Sequence, residues 1–91
     1  MAALRDVLGE ADDLPTEAVV FATRPWSPTS EVIVSQTDAA QPGYEYLLEV
    51  ELVLDVLEVW SAWRGGAAPD PEEASRAVIY YAQRDTYLPV P

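Results

Sequence analysis

The sequence predicts an α+β domain in the element order α-β-β-β-α-α, a three-stranded antiparallel sheet with about three helices packed on one face. Three observations predict it. Residues 18–23 and 31–36 are β-branched, apolar runs separated by a proline-rich loop, which is the pattern of neighbouring strands. From about Leu52 the apolar period changes to that of a helix. Asp70-Pro71-Glu72-Glu73 then marks a second long helix by its cap chemistry. Strands grouped ahead of the long helices, with a short helix before them, fit a three-stranded meander covered on one side. With 91 residues, the chain forms a single domain over 1–91, because so few apolar residues cannot fill two cores.

Leu4, Val7, Leu8 and Ala11 recur at helical spacing, so a short amphipathic helix is expected over residues 2–11, ended by Asp12, Asp13 and Pro15. The first strand, residues 18–23, is apolar on both faces, as a central or well-covered strand is. The loop at 24–30, with Trp26 between two prolines, is longer than the usual hairpin connection. The 37–43 connection has ordinary turn residues. It leads into a third strand at 44–50, whose alternation puts Tyr44, Tyr46, Leu48 and Val50 on one side and Glu45 and Glu49 on the other. A longer helix beginning near Tyr46 is the alternative for this segment. Leu52, Val53, Val56, Leu57, Val59, Trp60 and Trp63 form the apolar arc of the central helix, which Gly65-Gly66 terminates. The last helix runs to about Arg84, and residues 87–91 form a proline-limited tail that packs back.

Sixteen acidic residues face five basic ones, all arginine, giving a net charge of −11. Such a surface repels phosphate backbones and anionic membranes, and attracts basic proteins. Histidine, lysine and cysteine are all missing. Their absence removes the commonest general base, the Schiff-base nucleophile, the thiolate and the zinc–thiolate site. No cofactor is expected. Arg5, Asp6 and Glu10 interrupt any secretory leader at the start, which makes a cytoplasmic location the expectation. Acidic residues spread through 44–63 rule out a lipid-facing span there.

Several constellations suggest chemistry. Asp70, Glu72 and Glu73 are explained by helix capping better than by cation binding. Asp12-Asp13 lacks the donors and glycine of a calcium loop and reads as a turn. Gly65-Gly66 has no phosphate-loop spacing around it. Glu51, Asp55 and Glu58 form an acidic stripe at i, i+4 and i+7, read either as a solvated face or as a partner surface, and much less readily as a pair of catalytic carboxylates. Trp60, Trp63, Tyr80 and Tyr81 read first as core or edge-of-core packing, and second as part of an interface. Trp26 either closes over the core or is a rigid aromatic held out to a partner.

The stretch LLEVELVLDVLEVWSAWRGG at 47–66, followed by the acidic cap and RAVIYYAQRDTYLP at 76–89, resembles a family of small uncharacterised bacterial single-domain proteins. The likeness extends forward through LPTEAVVFA at 14–22 and the PWSP loop at 25–28. Proteins of this type look like the immunity or antitoxin proteins found beside toxin genes. That resemblance implies a bacterial toxin as partner and carries no site residues with it.

The function expected from these features is a non-enzymatic, acidic protein-interaction domain that binds a basic protein. Trp26, Glu45, Glu49, Glu51, Asp55 and Glu58 are its candidate partner-binding residues. A homo-oligomeric accessory module, with surplus aromatics at a self-interface, is the alternative. An enzyme built on carboxylates is a distant third.

Overall fold

The computed structural model describes residues 2–37, 39 and 41–90. Its helices are α1 (Leu4–Leu8), α2 (Val50–Ala62) and α3 (Pro71–Arg84), with a 3-10 turn at Ala11–Asp13. Its strands are β1 (Val19–Ala22), β2 (Val32–Ser35) and β3 (Glu45–Glu49). The order is α-β-β-β-α-α and the sheet is antiparallel throughout, as the sequence predicts.

The strand order, β2-β1-β3, differs from a meander, which would put β2 at the centre. Burial explains the difference. A central strand has a neighbouring strand along each edge, whose side chains wall in its own on both faces, so the strand that is apolar throughout is favoured there. Of the three strands only β1 qualifies: all four of its residues are at most 6% exposed. β2 is half-buried along its length, and β3 is exposed at both ends. The 36–44 connection therefore carries the chain past β1 to its far edge.

Residues paired across antiparallel strands share a face. Val20 is paired with Val34 and Leu48, whereas Phe21 is paired with Ile33 and Tyr46. Val20, Ala22, Leu47 and Leu48 join the core that packs against the helices. Val19 and Phe21 point to the opposite face, which no helix covers among the described residues. The expected alternation of Tyr44, Tyr46, Leu48 and Val50 on one side is thus broken. The register slips between Val20 and Phe21, where β3 inserts Leu47 as a bulge. The extra residue lets Leu47 and Leu48 both be buried and turns Tyr46 to the outer face.

α1 is shorter than residues 2–11. Ala2 and Ala3 extend beside β2 instead: Ala2 O accepts from the Val32 amide at 3.1 Å, and Ala3 bridges to Glu31. No side chain caps α1. Carbonyls of the 24–30 loop serve in its place, Ser30 O accepting from Leu4 N and Pro28 O from Arg5 N. Buried Ser30 ties that loop together, accepting from the Ser27 amide and donating to Pro25 O. Asp12 and Asp13, expected to end the helix, form the 3-10 turn.

β3 passes into α2 without a loop, and the longer helix from Tyr46 is excluded because Glu45–Glu49 pairs with β1. Val53, Val56 and Trp60 are buried on the inner side of α2. Each buried aliphatic side chain contributes roughly 1.5–3 kcal/mol. Gly65 and Gly66 follow with φ of 69° and 89°, the left-handed region that a side chain disfavours, and the Gly66 amide donates back to Ser61 O. α3 opens on a full capping box, with Asp70 Oδ1 accepting from Glu73 N at 2.8 Å and Glu73 Oε1 accepting from Asp70 N at 3.1 Å. Its Ala74, Ala77 and Val78 complete the core. Tyr87 and Leu88 of the tail do pack back onto the core. Asp38, Ala40 and the last tail residue, Pro91, lie outside the described residues.

Candidate functional site

Trp26 is half-buried against the core. Its indole Nε1 donates to Ala22 O at 3.3 Å, at the end of β1. The Arg24 guanidinium lies over the ring, 3.9 Å from its centroid, and pairs with Glu45 on β3. Arg24 thus brings Trp26 and Glu45 together. Of the two readings of this tryptophan, the geometry is that of a ring closing over the core, with one side covered by its neighbour.

Glu49 stands at the other end of β3, exposed, in the N-cap position of α2 and making no side-chain cap bond. Glu51, Asp55 and Glu58 are all exposed along α2, as a stripe opposite the buried Val53, Val56 and Trp60. The six candidates therefore fall into three groups: a clasp at Trp26 and Glu45, the strand end at Glu49, and the helix stripe.

The five arginines decide how much of this acidity is neutralised. Arg5 and Arg76 both reach Glu72, at 3.5 and 3.6 Å, and Arg24 takes Glu45. Arg64 lies over Trp60 at 4.3 Å and donates to Trp60 O and Pro89 O, stapling the tail to α2. Arg84 lies over Tyr80 at 5.1 Å. Three of the five cations thus rest on aromatic rings. Among the described residues only Glu45 and Glu72 pair with arginine, so Glu49, Glu51, Asp55 and Glu58 have no cation at ion-pair distance.

Two tyrosines are perturbed. Tyr44 donates to Glu31 Oε2 at 3.1 Å, reaching from the residue before β3 to the residue before β2. That bond to a carboxylate, then loss of solvent and the Glu31 charge, raises its pKa above the usual tyrosine value. Tyr81 is raised first by loss of solvent and then by the neighbouring Tyr87, Asp85 and Asp55. Tyr81, Tyr87 and Trp63 form a chain of rings with centroids 5.2 and 6.0 Å apart. Trp63 ends half exposed, at 50%, so it lies at the rim of the packing that its helical spacing suggests.

Sequence reasoning missed one feature. Glu17, Val19, Gln36, Thr37, Tyr46 and Glu49 line an open hollow of about 480 Å³ on the outer face of the sheet. It joins the start of β1, the end of β2 and the Tyr46 and Glu49 positions of β3, which becomes visible only with β1 in the middle and Leu47 in a bulge. Chemically, these groups accept hydrogen bonds and attract cations. Among the described residues no group of three or more carboxylates is placed to hold a metal ion, and no helix is long and apolar enough to cross a membrane. The chain matches no protein-family model, no curated protein and no solved structure.

Proposed function

We propose that this chain is a non-enzymatic, acidic interaction domain that binds a basic protein. One observation carries the reading: all five arginines are engaged within the fold, while the carboxylates of Glu49, Glu51, Asp55 and Glu58 are exposed without a cationic partner. Had the arginines been spread among these carboxylates, the surface would carry mixed charge. As it stands, a negative field reaches solvent and favours encounter with a basic partner over nucleic acid or an anionic membrane. The missing histidine, lysine and cysteine support a binding role without chemistry of its own. The resemblance to immunity and antitoxin proteins makes a basic bacterial toxin, held inactive in the cytoplasm, the first partner to try.

The test is affinity capture with the full chain at low and physiological salt, followed by calorimetry on the isolated pair. The expected result is a basic protein whose affinity falls as salt is added. Recovery of acidic partners only, or of none at either salt, removes the proposal. For a toxin partner, co-expression with this chain restores growth of the host.

A second reading, a homo-oligomeric module, draws on the exposed rings of Trp63 and Tyr46. A monomer by light scattering at high concentration removes it.

A further inference from the structure

The outer face of the sheet is left uncovered by the helices among the described residues, and it carries the hollow between the start of β1 and the ends of β2 and β3. Two carboxylates, Glu17 and Glu49, stand on its rim. Tyr46 stands at its edge, 45% exposed, with its ring packed edge-on against Phe21 at 5.8 Å and 82°, and the lining is almost wholly polar. The Gln36 amide adds an oxygen acceptor, while the Thr37 hydroxyl oxygen already accepts from the Ala39 amide at 3.2 Å. We infer that this face is the docking surface for the partner, and that the hollow receives an arginine side chain projecting from an exposed segment of that basic protein. The inference rests on the proposed function and names its surface.

The chemistry selects arginine among cations. A guanidinium presents five N–H donors in a plane, so it can bond two carboxylates and an amide oxygen at once. A bare metal ion fits badly, because the hollow is open and among the described residues offers two carboxylates, where a hard cation wants six to eight oxygens at close range. The fold already pairs a guanidinium with a carboxylate elsewhere, where Arg24 binds Glu45. Among the described residues, no arginine lines the hollow.

A second copy of the chain is a poor occupant. It would bring another charge of −11, and each of its arginines would already be held by an internal carboxylate, ring or carbonyl. The helix stripe lacks the shape of the hollow. Glu51, Asp55 and Glu58 supply charge on a convex surface, which steers a partner without fixing a side chain.

The experiment is an NMR titration of the ¹⁵N-labelled full chain with a blocked pentapeptide bearing one central arginine. The same peptide with neutral citrulline in that position is the control. Expected are shifts at the amides of Val19, Gln36, Thr37, Tyr46 and Glu49 with arginine and none with citrulline. Glu17→Gln with Glu49→Gln should weaken binding roughly tenfold, the size of one or two charge-assisted hydrogen bonds. Neutralising Glu51, Asp55 and Glu58 together removes more charge, yet should weaken it by less than about twofold at physiological salt.

Shifts centred on α2, with the triple variant the weaker binder, overturn the docking surface and leave the acidic-domain reading standing. So does an absence of shifts alongside a captured basic partner that still binds. No shifts and no basic partner overturn both. Shifts of the same amides on raising protein concentration, without peptide, assign the face to a second copy and overturn the inference.

Discussion

The indole of Trp26 shows how much a single side chain settles that its sequence context leaves open. Flanking prolines hold the loop stiff, but whether the ring turns inward depends on a carbonyl, Ala22 O, and a cation, Arg24, that reach it only after folding. Trp26→Phe keeps the ring against the core and removes the Nε1 bond, so it should cost about 1 kcal/mol in urea unfolding. Trp26→Ala should cost roughly 3–5 kcal/mol if the ring closes the core as described. A change below 1 kcal/mol for alanine would mean that the ring is not part of the packing. Tyr44 gives a prediction with a sign. Its raised pKa means that the folded state holds the phenolic proton more tightly than the unfolded chain. The resulting stability is fully present below the ordinary tyrosine value of about 10 and is lost as pH rises through the higher folded value. Thermal melts should therefore fall above that pH, and Tyr44→Phe should flatten part of the fall. At this scale the acidic candidates were legible as exposed residues, because i, i+4 and i+7 spacing fixes a helix face. Arg24 as the link between Trp26 and Glu45 was not, since the two lie 19 positions apart in the chain.

Among the elements, α3 was the most legible, because cap, proline and acidic turn are local chemistry that folding does not have to supply. Asp70→Ala should destabilise the protein by about 1 kcal/mol, read by chemical unfolding, while Asp70→Ser should recover most of it. Val53→Ala or Val56→Ala in α2 should each cost roughly 2 kcal/mol, from lost burial and the cavity left behind. Matching substitutions at exposed Glu51 or Glu58 should move stability by less than about 0.5 kcal/mol. The N-terminal end of α1 was not legible, because Ala2 and Ala3 have good helix propensity, but β2 offers them backbone partners and tertiary pairing outweighs propensity. The bulge at Leu47 was invisible for a similar reason. Leu47 and Leu48 look like successive residues of an alternating strand until β1 slips past them.

For the whole molecule, the fold class and the apolar character of the central strand were readable, whereas strand order was not. Order depends on which connection crosses the sheet, and the 36–44 segment carries ordinary turn residues either way. The unneutralised charge has a global consequence: mutual repulsion of exposed carboxylates opposes the compact state. Adding salt from low to physiological concentration should therefore raise the melting temperature, and a fall would contradict this account of the surface. The junction of β3 and α2 adds a mechanical constraint. Val50 still donates to Ala18 O as a strand neighbour while it opens the helix, so no slack separates the two elements. Passing one residue from helix to strand would therefore turn the faces of the helix by about 100°. The outer hollow, which holds Glu49, and the stripe that starts at Glu51 consequently keep a fixed bearing to each other. A partner that grips one meets the other at a single angle, and one inserted residue at the junction would swing that angle while leaving every acidic side chain in place.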